Sequence, residues 1–107
     1  MSNQPLKGIR VVDSTYIVAL PYAAGVLADM GAEVIKVEGP GHIDGTRLGG
    51  FPGSHADTDL GEDPWNRTAL YNAVNRGKKS LTLDLGTEDG RAALKDLIKV
   101  SDVFLEN

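Results

Sequence analysis

The sequence of 107 residues contains no cysteine. That single absence removes a disulfide framework, a thiolate zinc site and a cysteine nucleophile. A basic excess is lacking as well. Fifteen acids against eleven Lys and Arg give a net charge of −4, which argues against a general nucleic-acid binder, whose surface would carry a basic face. No apolar run approaches the roughly 20 residues that span a membrane. The polar start Met1-Ser2-Asn3-Gln4 does not resemble a signal peptide, so a soluble cytoplasmic protein is expected. There are only two histidines, His42 and His55. Neither has partners at helical or zinc-type spacing, and both are expected to be solvated loop residues. The acidic run Asp57–Asp63 lacks the glycine position and closing acid of a calcium loop. Ser14, Ser54 and Ser80 have no G-x-S-x-G context. No metal site and no catalytic residue is therefore assigned. Internal repeats and low-complexity blocks are also missing, apart from two similar βα units.

The first of these units runs from Gly8 to Gly41. Ile9, Val11 and Val12 form a short apolar run ending at Asp13, as in a strand covered on both faces. Pro21 suits the first turn of a helix. Ala23, Val26, Leu27 and Met30 recur at helical spacing, and Gly31 stands where a left-handed cap would end the helix. Val34–Val37 form a second strand, stopped by Gly39-Pro40-Gly41. The spacing predicts a helix over 21–30 and a right-handed βαβ unit with parallel strands.

In the second unit Leu81, Leu83 and Leu85 alternate with Thr82 and Asp84, predicting a strand over 80–85. Thr87 is the expected N-cap of a helix over 88–100, with Glu88 and Asp89 in its first turn. Leu94, Leu97 and Ile98 form its apolar stripe, and Val103–Leu105 make a fourth strand. The fold class is thus α/β, a Rossmann-like, largely parallel sheet flanked by helices. Ligands on such sheets bind at the carboxyl ends of the strands, here Asp13, Glu38, Leu85 and Asn107. Residues 1–107 amount to one domain's worth of chain, at the small end. Asn107 directly follows an apolar strand, and the sheet edge is bare. The expectation is an N-terminal part of a larger domain, or one part of an assembly. The alternative is a small complete domain with a frayed end.

Between the units, residues 42–72 are polar and rich in glycine (Gly45, Gly49, Gly50, Gly53, Gly61), a length that is usually functional or mobile. A short helix is expected over Trp65–Val74, with Leu70, Ala73 and Val74 inward. Glu38 ends the second strand where an acid could hold a ribose, but the first turn, S-T-Y-I-V-A-L-P, has none of the glycines of a dinucleotide fingerprint. The turn Asn75-Arg76-Gly77-Lys78-Lys79-Ser80 gathers three cations. They could attract a phosphorylated ligand or merely keep an edge soluble, and they precede the strand, on its amino side.

Several blocks follow one another in order: PLKGIRVVD, PYAA, LADMGAEVIKVE, DGTR, NRGKKSLTLDL, DGRAALKDLI and SDVFLEN. Together they resemble the start of the class III coenzyme A transferases, the family of formyl-CoA transferase and carnitine CoA-transferase, to whose superfamily the 2-methylacyl-CoA racemases belong. The resemblance runs from Pro5 to Asn107, with the loop from Gly49 to Trp65 unmatched. It implies a coenzyme A pocket formed by Val18 and Ala19 after the first strand, by Leu83, Asp84, Leu85 and Gly86 after the third, and by Asn107. Lys78 and Lys79 would add a weaker electrostatic contribution. Two departures stand out. Val18 and Leu20 replace a glutamine and a glycine of formyl-CoA transferase, and Gly39 replaces an arginine, so a bulkier, less polar acyl group than formate or oxalate is expected.

The resemblance further implies covalent catalysis, in which an aspartate attacks the thioester, releases CoA thiolate and holds the acyl group as a mixed anhydride. That aspartate is expected beyond Asn107, which leaves this chain alone inactive. CoA or acyl-CoA would be a substrate, no cofactor would be permanently bound, and a carboxylic acid would be the acceptor. The full-length protein is expected to form an interlocked homodimer, with neither membrane nor nucleic acid as partner. Racemase activity and a non-catalytic split subunit are the alternatives.

Overall fold

The computed structural model describes residues 3–49 and 53–107; the expectation for Gly50 and for the first two residues lies outside them. Strands β1 (Arg10–Asp13), β2 (Glu33–Glu38), β3 (Lys79–Thr82) and β4 (Val103–Leu105) form one wholly parallel sheet in the order β3-β2-β1-β4. Helices α1 (Ala19–Asp29), α2 (Ala69–Val74) and α3 (Glu88–Lys99) connect them, with 3-10 turns at Gly45–Arg47, Ala56–Thr58 and Pro64–Asn66. The α/β reading holds. The chain steps from β1 to β2 to β3 in one direction and returns to place β4 on the other side of β1. The topological switch therefore lies between β1 and β4, where sheets of this kind open a crevice. Right-handed crossovers in opposite directions put α1 and α3 on opposite faces.

Register sets the core. Val11 pairs with Val34 and Val12 with Ile35. Val11 and Val34 pack with Ala24 and Ala32, and Leu6, Ile9, Leu27, Ala28 and Leu105 surround them. The buried residues of α1 are Pro21, Ala24 and Gly25, whereas Met30 is 40% exposed. The apolar residues at helical spacing, Ala23 and Met30 among them, therefore do not all mark the buried face. The cause is close approach: a Cβ on Gly25 would lie 3.1 Å from the Val74 carbonyl at the end of α2, so the smallest residues define the buried face. Gly31, at φ +100°, ends the helix in the left-handed region as expected.

Other boundaries shift. β3 begins at Lys79 and ends at Thr82, not at Leu85. The Leu83 N–H still reaches the Glu38 carbonyl at 3.0 Å, but β2 ends there and offers no further ladder. Asp84 then turns the chain, its Oδ1 accepting the Gly86 N–H at 3.0 Å. The helix expected over 65–74 divides into the turn Pro64–Asn66 and α2, and Val74 alone of the three apolar residues is buried, Leu70 being 37% exposed. α3 follows its expectation closely: the Thr87 hydroxyl accepts the Gly90 N–H, with Glu88 and Asp89 in the first turn.

Candidate functional site

The four strands point their carboxyl ends to one edge, and that edge is organised by buried charge. Asp13 is wholly buried at the end of β1. Its Oδ1 accepts from both the N–H and the hydroxyl of Thr15, which folds the chain over at the end of the strand. Its Oδ2 accepts from Lys78 Nζ at 2.7 Å, and Lys78 gives its other donors to the Pro21 carbonyl and Asn75 Oδ1. Burial pulls the Lys78 ammonium below the usual lysine range, with Asp13 acting in the opposite sense. Lys78 is therefore an internal strut between β1, α1 and the turn before β3. Arg76 pairs with Asp29, and Lys79 with Glu33, so each of the three cations in that turn has an acidic partner within the fold.

Two further pairs hold the loops above the edge. Lys36 and Asp44 are almost wholly buried and pair at 2.7 Å, and Lys36 also donates to the Thr15 carbonyl. Asp44 Oδ1 accepts from the Ile17 N–H and from the N–H and hydroxyl of Thr46. Burial alone would raise the Asp44 carboxyl, but the donors from Lys36 and Thr46 hold it below the usual carboxylate range. Glu38, at the end of β2, behaves in the same way: burial opposes ionisation, and Arg47, the Asp44 N–H and the Tyr71 hydroxyl outweigh it. Arg47 grips Glu38 with Nε at 2.9 Å and Nη2 at 2.8 Å and stacks 3.6 Å from the Tyr71 ring centroid. The D-G-T-R block is thus a fastener that ties the 42–47 loop to β1 and β2. Its role was not legible from composition, because Lys36 and Asp44 are apolar-strand and loop residues with no charge periodicity between them.

Between these supports lies a cleft of about 340 Å³, lined by Leu83, Asp84, Leu85 and Gly86 together with Tyr16, Gly39, Gly41 and His42. All four residues expected after the third strand are on its wall. The glycines matter at one point in particular: a Cβ on Gly90 would lie 1.9 Å from the Asp84 carbonyl, so the first turn of α3 packs against this wall only because residue 90 is glycine. Tyr16 joins the two sides. Its hydroxyl donates to the His42 carbonyl at 2.7 Å, and its ring lies 5.2 Å from the His42 ring.

The remaining expected residues fall elsewhere on the edge. The Asn107 carboxamide clamps the Tyr16 main chain, accepting from its N–H and donating to its carbonyl, both at 3.1 Å. That clamp bridges β1 and β4 at the topological switch. Val18 and Ala19 form the N-terminal end of α1, where Val18 is the cap residue; they do not line the cleft. Ile17, just before them, has φ +74°, a strained conformation for a β-branched residue, held by the Asp44 bond on its N–H. His55 departs from its expected solvation. It is 6% exposed, with Nε2–H on the Pro64 carbonyl and Nδ1 against the Ser54 hydroxyl. It fastens the long loop, whereas His42 is exposed at the cleft.

The comparisons with known proteins agree on one relationship. The profile described as CoA-transferase family III matches residues 6–107. Succinate–glutarate CoA-transferase of Agrobacterium fabrum is 45% identical over 96% of this chain and 25% of its own length. Succinyl-CoA:glutarate CoA-transferase of Homo sapiens is 40% identical over 100% of this chain and 22% of its own. Among solved structures, a CAIB/BAIF family protein from Brucella suis superimposes with TM-score 0.76 at 40% identity, covering 96% of this chain and 25% of that one. The chain spans about a quarter of the length of these relatives.

Proposed function

The chain belongs to CoA-transferase family III, and on that premise we propose that it forms the coenzyme A-binding, N-terminal portion of an enzyme that moves CoA between carboxylic acids. The observation that carries this reading is the cleft at the carboxyl edge, whose wall is the Leu83–Gly86 segment. Acyl-CoA enters there, with Tyr16, His42 and the segment after β3 as its surroundings. Asn107, Val18 and Ala19 shape the neighbouring loop and helix end. In the reaction a carboxylate attacks the thioester carbon, the C–S bond breaks, and CoA leaves as thiolate while the acyl group remains as a mixed anhydride. The acceptor carboxylate then attacks the enzyme-side carbonyl of the anhydride and expels the donor acid as free carboxylate. CoA thiolate attacks the acyl carbon of the new anhydride, forming the product thioester and releasing the enzyme carboxylate. The nucleophile comes from outside residues 1–107. Asp13 is paired with Lys78 and Thr15, Glu38 with Arg47, and Asp84 with the Gly86 N–H, so these three acids, at or just beyond the ends of β1, β2 and β3, already have structural partners. An interlocked dimer of the full-length protein would close the cleft against water.

Relatives named for succinyl-CoA, glutarate and mesaconate make a short dicarboxylic acyl-CoA the first donor to assay, ahead of the less polar acyl group suggested by Val18 and Leu20. The test is incubation of the full-length protein with succinyl-CoA and a panel of carboxylic acids, following new acyl-CoA species by mass spectrometry. Transfer to one or more acceptors is expected. Epimerisation of a 2-methylacyl-CoA without transfer would overturn the reading in favour of a racemase.

A further inference from the structure

CoA carries several phosphate charges, and the net charge of this chain is −4, so the cations available to the cleft are informative. Those held beneath it are already paired: Lys36 with Asp44, Arg47 with Glu38, and Lys78 with Asp13. The glutamate of β2 is followed by Gly39, which also lines the cleft and has no side chain to offer. Two groups remain. Arg91, exposed in the first turns of α3, places Nη1 2.9 Å from the carbonyl of Leu85, itself a cleft residue. No other bond or ion pair engages its guanidinium among the described residues, and the adjacent Glu88 and Asp89 do not pair with it. His42 lines the cleft with its ring beside Tyr16, and neither ring nitrogen has a hydrogen-bond partner among the described residues. The one carboxylate on the wall, Asp84, is turned back onto the Gly86 N–H.

We propose that Arg91 and His42 form the phosphate-recognising lip of the cleft and determine its specificity for the nucleotide end of CoA. This inference rests on the reading that the cleft takes CoA. Arg91 is anchored through one nitrogen on Leu85, which leaves Nε and Nη2 in a fork suited to two phosphate oxygens. His42 adds a donor from the opposite loop, held in place by the Tyr16 hydroxyl on its carbonyl. Neither residue needs to touch the acyl group, so their effect belongs to binding and not to the chemical step.

The experiment is titration calorimetry on the full-length protein with CoA, dephospho-CoA and pantetheine, comparing wild type with R91Q, R91K, H42Q and the R91Q/H42Q double variant. Each glutamine variant should weaken CoA binding by about tenfold, the loss expected for one partly exposed charge-assisted bond. R91K should be intermediate, because it keeps the charge and loses the fork. Pantetheine, which has no phosphate, should bind all five proteins alike. Added salt should weaken CoA binding more in wild type than in the double variant. Wild-type affinity for CoA in the double variant, or an equal loss for pantetheine, would overturn the proposal. Failure of the wild-type protein to bind CoA at all would instead overturn the reading of the cleft on which it rests.

Discussion

The β1–α1–β2 unit and the β3–α3–β4 unit look alike in sequence and differ sharply in the folded molecule. The first buries Val11, Val12, Val34 and Val37 along with Asp13, Lys36 and Glu38. The second buries only Gly90 fully; its stripe of Leu94, Leu97 and Ile98 is half-buried, and Val103 and Phe104 are 37% and 42% exposed. Buried charge makes the first unit rigid, since each ion there depends on a partner fixed by another segment. The second unit contributes the cleft wall, Leu83–Gly86, and leaves it accessible. The molecule thus separates a buried polar scaffold from an open edge that carries the cleft wall, and substitutions in the two units should differ accordingly.

The largest effect should follow Lys36→Met. It leaves the Asp44 carboxylate buried without its cation, and losses of this kind run to about 3–5 kcal/mol, measurable by urea titration of the full-length protein. If the loss were below about 1 kcal/mol, the network would not be the stiff element claimed here. Gly90→Ala comes next. The added methyl collides with the Asp84 carbonyl, so we expect a loss of about 1–3 kcal/mol, as for other overpacked sites, and displacement of the cleft wall with weaker CoA binding.

Acid should destabilise the molecule through the scaffold's carboxylates. Glu38 and Asp44 are both held below the ordinary carboxylate range. Their stabilisation is therefore present above about pH 4, the ordinary carboxylate range, and is lost as pH falls through the depressed folded values. Urea midpoints measured from pH 6 down to pH 2 should fall in wild type. Glu38→Gln should be less stable than wild type near neutrality and show a shallower fall. Parallel curves would remove Glu38 from the account. The smallest effect belongs to the second unit: Val100→Ser, at a residue 63% exposed, should change stability by no more than about 0.5 kcal/mol.

The same contrast explains what could be read from sequence. Apolar runs and caps mark elements directly, and so Val11–Val12, Gly31 and the Thr87 cap were legible, as was the parallel α/β class. Leu83 and Leu85 continued the strand alternation of Leu81, yet a strand needs a neighbour, and β2 ends at Glu38. The segment after the third strand, pointed to by the family resemblance, does line a cleft, but it is a turn and not the continuation of a strand. The three cations at Arg76, Lys78 and Lys79 left open either a phosphorylated ligand or a solvated turn, because a sequence shows charge without its partner. Asp29, Asp13 and Glu33 lie 46 to 65 positions away in the chain, and only the parallel register brings them together. Asn107 was placed at the right edge, but its clamp on the Tyr16 main chain depends on β4 lying beside β1.

The central claim is that the edge formed by Leu83–Gly86 against Tyr16 and the 39–42 loop receives CoA. Hydrogen–deuterium exchange of the full-length protein with and without CoA tests it most directly. The account predicts slowed exchange at residues 83–86, at Gly39, Gly41 and His42, and at Tyr16, with the strand interiors of β1 and β2 unchanged. Protection confined to other segments, or none at saturating CoA, would contradict it.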